Sequence, residues 1–420
     1  MSRRQILDAV VVGAGPVGAA LALALARDGF EVALVEARAP KPWRAEDEVD
    51  PRVVALAPDA RDLLDDLDVW TSIAERRAGA YRHMRVWDAL APGELHFDAA
   101  ERGAAALGWI VENRLIQDAL WRACAAGASA VALDREDRAA TYSGRIFESR
   151  RAAGDVRVHC PAEVVEIENG DEAVVATLDD GTRLRAALLV AAEGAESSLR
   201  GRLGIAFGGR DYGQRAVVAH VATERPHEST AWQRFQPGGP LAFLPLADGR
   251  CSIVWSLPDA EAARVLALDD AAFRAELGCA FDFRLGAITA ATPRLAFPLR
   301  LRLAERYVDG RCALVGDAAH VVHPLAGQGM NLGFRDVACL RRVLREARER
   351  GDDHGAAPIL RRYERERRSE NTLAARGLDA IERVFGTDIG PVAALRGAAL
   401  AAVDRFGPIK HWFANRAAGR

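Results

Sequence analysis

Leu7-Asp8-Ala9-Val10-Val11-Val12-Gly13-Ala14-Gly15-Pro16-Val17-Gly18-Ala19-Ala20-Leu21 is the stretch on which the reading of this chain turns. Ile6 to Val12 is a short, almost continuous apolar run, the pattern of a parallel strand covered on both faces. Three glycines follow at once in the spacing G-x-G-x-x-G. The alanine- and leucine-rich run from Ala19 to Ala26 then predicts a helix that stops near Gly29. Val32 to Val35 predicts a second strand, closed by Glu36. Together these make a βαβ unit of about thirty residues. The glycines serve separate purposes, with Gly13 making a tight turn, Gly15 allowing close approach of a pyrophosphate, and Gly18 letting the helix pack on the strand. Amides at the helix start then face the phosphate charge. A carboxylate at Glu36 can accept from both hydroxyls of an unphosphorylated ribose, as in FAD or NAD, and repels a 2′-phosphate.

Two further glycine-bearing segments lie far along the chain. Ala192-Glu193-Gly194 is in the middle, and Gly316-Asp317 opens a long glycine-rich loop. Three such segments at these separations fit one long dinucleotide laid across a single domain. That domain must be discontinuous, with a second one filling the gaps. The expected division is a nucleotide-binding domain from 1–80, 106–205 and 295–345, a β-sheet domain from 81–105 and 206–294, and a helical region over 346–420. Alternating strands such as Ala216 to Ala222 and Cys251 to Ser256 support the sheet, and Tyr81 to Asp98 is expected to add strands to it. Helical spacing covers Arg335 to Arg350 and Pro358 to Phe385. The polar stretch from 128 to 155 reads as a surface excursion.

Composition narrows the function classes. The 420 residues are 50% hydrophobic and 27% charged with a net charge of −3, which suits a soluble globular protein and gives no field to hold nucleic acid. Six cysteines, at 124, 160, 251, 279, 312 and 339, include no CxxC pair, so neither a zinc site nor a disulfide framework is expected. A cytoplasmic protein is expected, with no spanning helix. Residues 391 to 420 carry Arg396, Arg405, Lys410, Arg416 and Arg420 against Asp404, with Trp412 and Phe413, and are expected to form a basic helix. A peripheral contact at the inner face of a membrane is the sharper reading of that segment.

The segment Ala313-Leu314-Val315-Gly316-Asp317-Ala318-Ala319-His320-Val321-Val322-His323-Pro324-Leu325-Ala326-Gly327-Gln328-Gly329-Met330-Asn331-Leu332-Gly333 resembles the flavin-ribityl loop of the aromatic-ring flavoprotein monooxygenases. Its wording is similar to the ubiquinone-biosynthesis hydroxylases, and the resemblance extends over nearly the whole chain. It implies an α/β fold with a Rossmann-like, para-hydroxybenzoate-hydroxylase-like FAD-binding domain, an inserted β-sheet substrate domain and C-terminal helices. It implies FAD as cofactor, with Asp317 on the ribityl chain and the amides of Gly329, Met330 and Asn331 at the pyrimidine end. Glycines at 327 and 329 would let the main chain lie against a flat ring, and a helix beginning at Asn331 would direct its positive end at reduced flavin.

The same resemblance marks Arg114 and Gln117, within Leu107 to Gln117, and Arg52, within Asp50-Pro51-Arg52, as cofactor contacts. His323 and Pro324 fall near the flavin face, and His320 is expected to pack or cap at a strand end. In the middle motif relatives carry Ala-Asp-Gly, where this chain has Glu193 before Gly194, one methylene longer.

The activity implied is that of a monooxygenase. NADH or NADPH reduces FAD, O₂ adds at flavin C4a, and the distal oxygen of the hydroperoxide passes to an electron-rich polyprenylphenol. Arg76 to Asp88 and Ile253 to Leu257 look closest to the branch that hydroxylates ortho to the phenol hydroxyl, the C5 step. Relatives acting at C1 or C6 share the motifs. Partners implied are the lipid phenol, O₂, the nicotinamide nucleotide and other proteins of the same pathway. A reductase or halogenase on the same scaffold, or a flavin-holding subunit without turnover, are the alternatives.

Overall fold

The computed structural model describes residues 6–127, 155–322 and 328–386. The excursion after residue 127, the segment from Pro391 on with Lys410 and Arg416, and His323, Pro324 and Gly327 lie outside the described residues.

Among the described residues, two large sheets, of eight and nine strands, and a small one carry the fold. The first has eight strands: β1 (Leu7–Val12), β2 (Val32–Val35), β8 (Val156–His159), β9 (Val164–Asn169), β10 (Val174–Leu178), β11 (Arg183–Ala191), β18 (Val308–Asp309) and β19 (Cys312–Leu314). Strands β19, β11, β1, β2 and β8 run parallel in that order, so β1 sits where the connections diverge to either side. In such sheets the crevice beyond the strand ends at this point receives the ligand. Helix α1 (Pro16–Arg27) is buried from Gly18 to Ala26, because the sheet lies on one side while α4 (Asn113–Gly127) and α8 (Gln328–Glu349) pack against it from elsewhere. A run of alanine and leucine without a polar face is what such a site demands.

The small sheet joins β3 (Val53–Leu56), β7 (Gly108–Glu112) and β4 (Ala78–Tyr81). Helices α2 (Pro58–Asp66) and α3 (Trp70–Arg77) lie between β3 and β4 in the chain.

The second large sheet has nine strands: β5 (His83–Asp88), β6 (Glu94–Asp98), β12 (Phe207–Thr223), β13 (Thr230–Phe235), β14 (Leu241–Pro245), β15 (Cys251–Pro258), β16 (Ile288–Ala291), β17 (Leu295–Ala304) and β20 (His320–Val321). It extends past the expected end at 294, because β17 pairs with β12 from Ala304 back to Leu295. One face is closed by α6 (Asp259–Ala267) and α7 (Asp270–Ala280), with Val217, Phe243, Ile253 and Trp255 packed around Phe273 and Leu277. The opposite, inner face looks toward the small sheet, where Leu244 meets Ala55, Ile110 and Val53. Helix α5 (Ser198–Arg202) follows β11, and α9 (Ala357–Gly386) runs along α8 to the sheet, where Phe385 stacks on Phe235 at 4.0 Å. None of the described helices is long and apolar enough to cross a membrane.

Candidate functional site

The three glycine segments meet at the ends of β1, β11 and β19. Gly13 has φ +103°, and a Cβ there would stand 2.5 Å from the carbonyl oxygen of Ala192. At Gly18 a Cβ would stand 2.0 Å from the Gly13 oxygen and 2.9 Å from the Ala192 side chain. Val17 then touches the third segment: a Cβ on Gly316 would lie 3.2 Å from it, and one on Gly333 2.6 Å. Gly15 differs from its neighbours, since a Cβ there would meet nothing within 4 Å. Its open side is the start of α1, where Pro16 at the first helical position leaves the free amides directed outward.

Glu36 follows β2 and binds the glycine turn directly. One carboxylate oxygen accepts from the Ala14 amide at 2.5 Å and the other from the Arg38 amide at 3.0 Å. An oxygen carries two lone pairs, so each retains acceptor capacity for a ribose hydroxyl. Gln117, on α4, donates to the Ala14 carbonyl at 3.0 Å and so fixes the same turn from the other side.

Asp317 lies in a short 3₁₀ turn, Gly316–Ala318, after β19. Its side chain opens to solvent, and among the described residues it accepts no hydrogen bond. Protein nonetheless crowds around it. That crowding, with His320 opposing and Asp336 adding, raises its carboxyl above the usual range. An unpartnered carboxyl on the wall of a crevice suits a polyol chain, and the free face at Gly15 suits a pyrophosphate. The residues present therefore fit FAD.

Below Asp317 lies a network that the sequence reading does not identify. Asp336 is wholly buried on α8 and accepts from the Gly316 amide at 3.0 Å, from His320 at 2.6 Å and from Arg367 at 2.8 Å. Asn371 adds a bond to Asp336 at 3.1 Å and accepts from Arg367 at 2.7 Å. Tyr363 donates to the Leu314 carbonyl at 2.7 Å. Burial alone would raise the Asp336 carboxyl, but His320 and Arg367 outweigh it and hold it at about 2. The available signal is the spacing Tyr363, Arg367, Asn371, one turn apart on a single helix face.

The remaining predicted residues fall in three places. Helix α8 starts at Gln328, three residues before the expected Asn331, so Gly329 and Met330 occupy its first turn. The Asn331 side chain is a buried tie: its carboxamide donates to the Ala55 carbonyl at 2.9 Å and accepts from the Ala57 amide at 3.0 Å. Arg114 pairs with Asp47 at 3.2 Å and lies 3.9 Å from Asp50. Arg52, in the same loop, sits over the Phe297 ring at 4.7 Å. Glu193 turns to its own chain, accepting from Ser197 at 2.6 Å, Ser198 at 2.9 Å and the Leu199 amide at 3.0 Å. This carboxylate thus supports the first turn of α5, whose N-cap is Ser197, while Gly194, at φ +83°, stays open.

The inner face of the nine-stranded sheet is the one turned toward the small sheet. Strand register sets its side chains in rows: His220, Ser252 and Leu244; then Val218, Val254, Ala242 and Gln233; then Phe297, Ala216 and Ser256. Leu244, Ala242, Val254 and Phe297 stay partly open although they lie within strands, which leaves an apolar floor. His220 binds the Asp50 carbonyl at 3.1 Å, so the loop carrying Arg52 is attached to this floor.

Comparison with known proteins gives the family and the fold. Residues 7–376 match the FAD binding domain family. The chain is 37% identical to ubiquinone hydroxylase UbiL of Rhodospirillum rubrum, covering 100% of this chain and 91% of that protein. It is 35% identical to 3-demethoxyubiquinol 3-hydroxylase of Escherichia coli, covering 97% of each. Among solved structures, p-nitrophenol 4-monooxygenase of Pseudomonas putida shares the fold with a TM-score of 0.74 at 19% identity, over 99% of both chains. The chain belongs to the family of FAD-dependent monooxygenases that includes these hydroxylases.

Proposed function

We propose that this enzyme hydroxylates the ring of a polyprenylated phenol in ubiquinone biosynthesis, ortho to the phenol hydroxyl at C5. The observation that carries the reading is the apolar floor of Ala242, Leu244, Val254 and Phe297, bordered by Arg52 and turned toward the small sheet. Full-length similarity to proteins named as ubiquinone-pathway hydroxylases supports the substrate class. When bound, FAD supplies the redox chemistry, taking electrons from NADH or NADPH and activating O₂ toward an electron-rich ring. The chain's own part is positional. Asp317 and the turn at Gly15 would hold the cofactor, Gln117 and Glu36 hold that turn, and the sheet floor would present the ring while excluding water.

Ortho hydroxylation suits this chemistry because a phenol donates electron density to the carbons beside its hydroxyl. The second reading is another ring position, favoured by the name of the Escherichia coli relative, a 3-hydroxylase of demethoxyubiquinol. Quinone-lipid profiling of a strain lacking this chain separates them. Accumulated 2-polyprenylphenol supports C5, an accumulated demethoxy intermediate moves the step to the other position, and an unchanged quinone pool removes the pathway assignment altogether. A lipid substrate would be met at a membrane surface. On that reading, replacing Lys410 and Arg416 with glutamate releases the protein from anionic vesicles; unchanged binding rejects the contact.

A further inference from the structure

Gln233 is a polar side chain placed where an apolar one would pack. It projects from the inner face of the nine-stranded sheet, in a row that continues from Val218, Val254 and Ala242 on one side to Val86 and Leu95 on the other. The residue is 7% exposed, yet among the described residues its amide makes no hydrogen bond. The amide is not among the sealed, partnerless atoms, so it keeps a small open surface at which solvent or a ligand, and no protein group of the described residues, can bond it. Ser252, in the adjacent row, also lacks a partner, but its oxygen is sealed from any ligand; the Gln233 amide is not sealed in this way. Position adds to the argument. Ala242 beside it is part of the open floor, whereas Val86, on its other side, belongs to the cluster closed by Leu378 and Phe385 of α9. Gln233 thus marks the boundary between the accessible and the covered halves of the sheet.

We propose that Gln233 is a specificity-determining residue whose amide binds an oxygen substituent of the aromatic substrate ring lying on that floor. This rests on the substrate reading above. A carboxamide both donates and accepts, so it can take a phenol hydroxyl in either sense and can donate to an ether oxygen. A site that leaves its own amide unpaired in the absence of that oxygen discriminates strongly against a ring lacking it.

The test titrates FAD-loaded wild type, Gln233→Leu and Gln233→Met with 2-farnesylphenol and with farnesylbenzene, reading the perturbation of the flavin absorption band and the FAD content. The expected result is a dissociation constant for the phenol raised about tenfold in both variants, with farnesylbenzene and FAD content unchanged. A wild type that binds the phenol, together with variants that bind it equally well, overturns the assignment to Gln233 alone. Equal weakening toward both compounds also overturns it, by showing a change of pocket shape. A wild type blind to both compounds overturns the substrate reading and this inference together.

Discussion

His320 and Asp336 share a hydrogen bond of 2.6 Å with neither side chain exposed to solvent, directly beneath the turn that carries Asp317. The same carboxylate holds the Gly316 amide, so one buried charge sets the backbone from which Asp317 projects.

Removing that charge should be costly. In Asp336→Asn the Arg367 guanidinium keeps Glu370 and Asn371 but loses its fully buried carboxylate partner, and a loss of about 3 kcal/mol is expected. Thermal unfolding measures it, together with weaker FAD retention. A variant as stable as the wild type would show that the network contributes nothing.

The same pair predicts an acid limit. The Asp336 carboxyl lies at about 2 in the folded protein, below its value of about 3.9 in an unfolded chain. The difference corresponds to about 2 kcal/mol, fully present above about pH 4 and lost as pH falls toward the folded value. The stability gap between wild type and Asp336→Asn should therefore narrow on acidification. A gap that widens below pH 4 contradicts the assignment.

Asp317→Ala should lose cofactor without losing the fold, since the side chain has no protein partner to forfeit among the described residues. A charged hydrogen bond of this kind is worth roughly 10- to 100-fold in affinity. Stoichiometric yellow cofactor in the purified variant counts against the role.

The glycines of the first turn should separate by consequence. Gly18→Ala forces a Cβ against the Gly13 carbonyl, which is rigid backbone, and should yield little folded protein. Gly15 has φ −62° and open space, so Gly15→Ala should fold with a near-normal melting temperature while FAD affinity falls. Equal behaviour of the two variants would refute the assignment of Gly15 to the ligand side.

Glu193→Ala removes the acceptor of the Leu199 amide and of the Ser197 and Ser198 hydroxyls at the start of α5, while the Ser197 cap remains, and should cost about 1 kcal/mol of stability. Differential scanning calorimetry gives the value, and FAD affinity should change less than in Asp317→Ala.

Local order can be read from the chain because each signal is itself local. The apolar run to Val12, the three glycines and Glu36 specify strand, turn, helix and strand within one short span, and the structure places each accordingly. The start of α8 is harder to read because Asn331 has the composition of a cap, while its actual partners, Ala55 and Ala57, lie some 275 residues away and leave no trace in its neighbourhood. The extent of the second sheet is hidden for a related reason. Strand β17 is mostly exposed or half-buried, and only its pairing with β12 assigns it to that sheet. The Asp336 network joins side chains from α8, α9 and β20; the spacing of Tyr363, Arg367 and Asn371 marks one face of α9 but does not announce Asp336 or His320 as its partners.

Strand β20 is two residues long, yet His320 and Val321 are registered against Leu303 and Arg302 of the nine-stranded sheet. This anchor begins one helical turn of chain beyond Asp317. The turn that would hold the cofactor and the sheet that would hold the ring therefore share one mechanical frame, with no slack in the chain between them. The position of the sheet and that of the turn are thus set together, by a few backbone bonds.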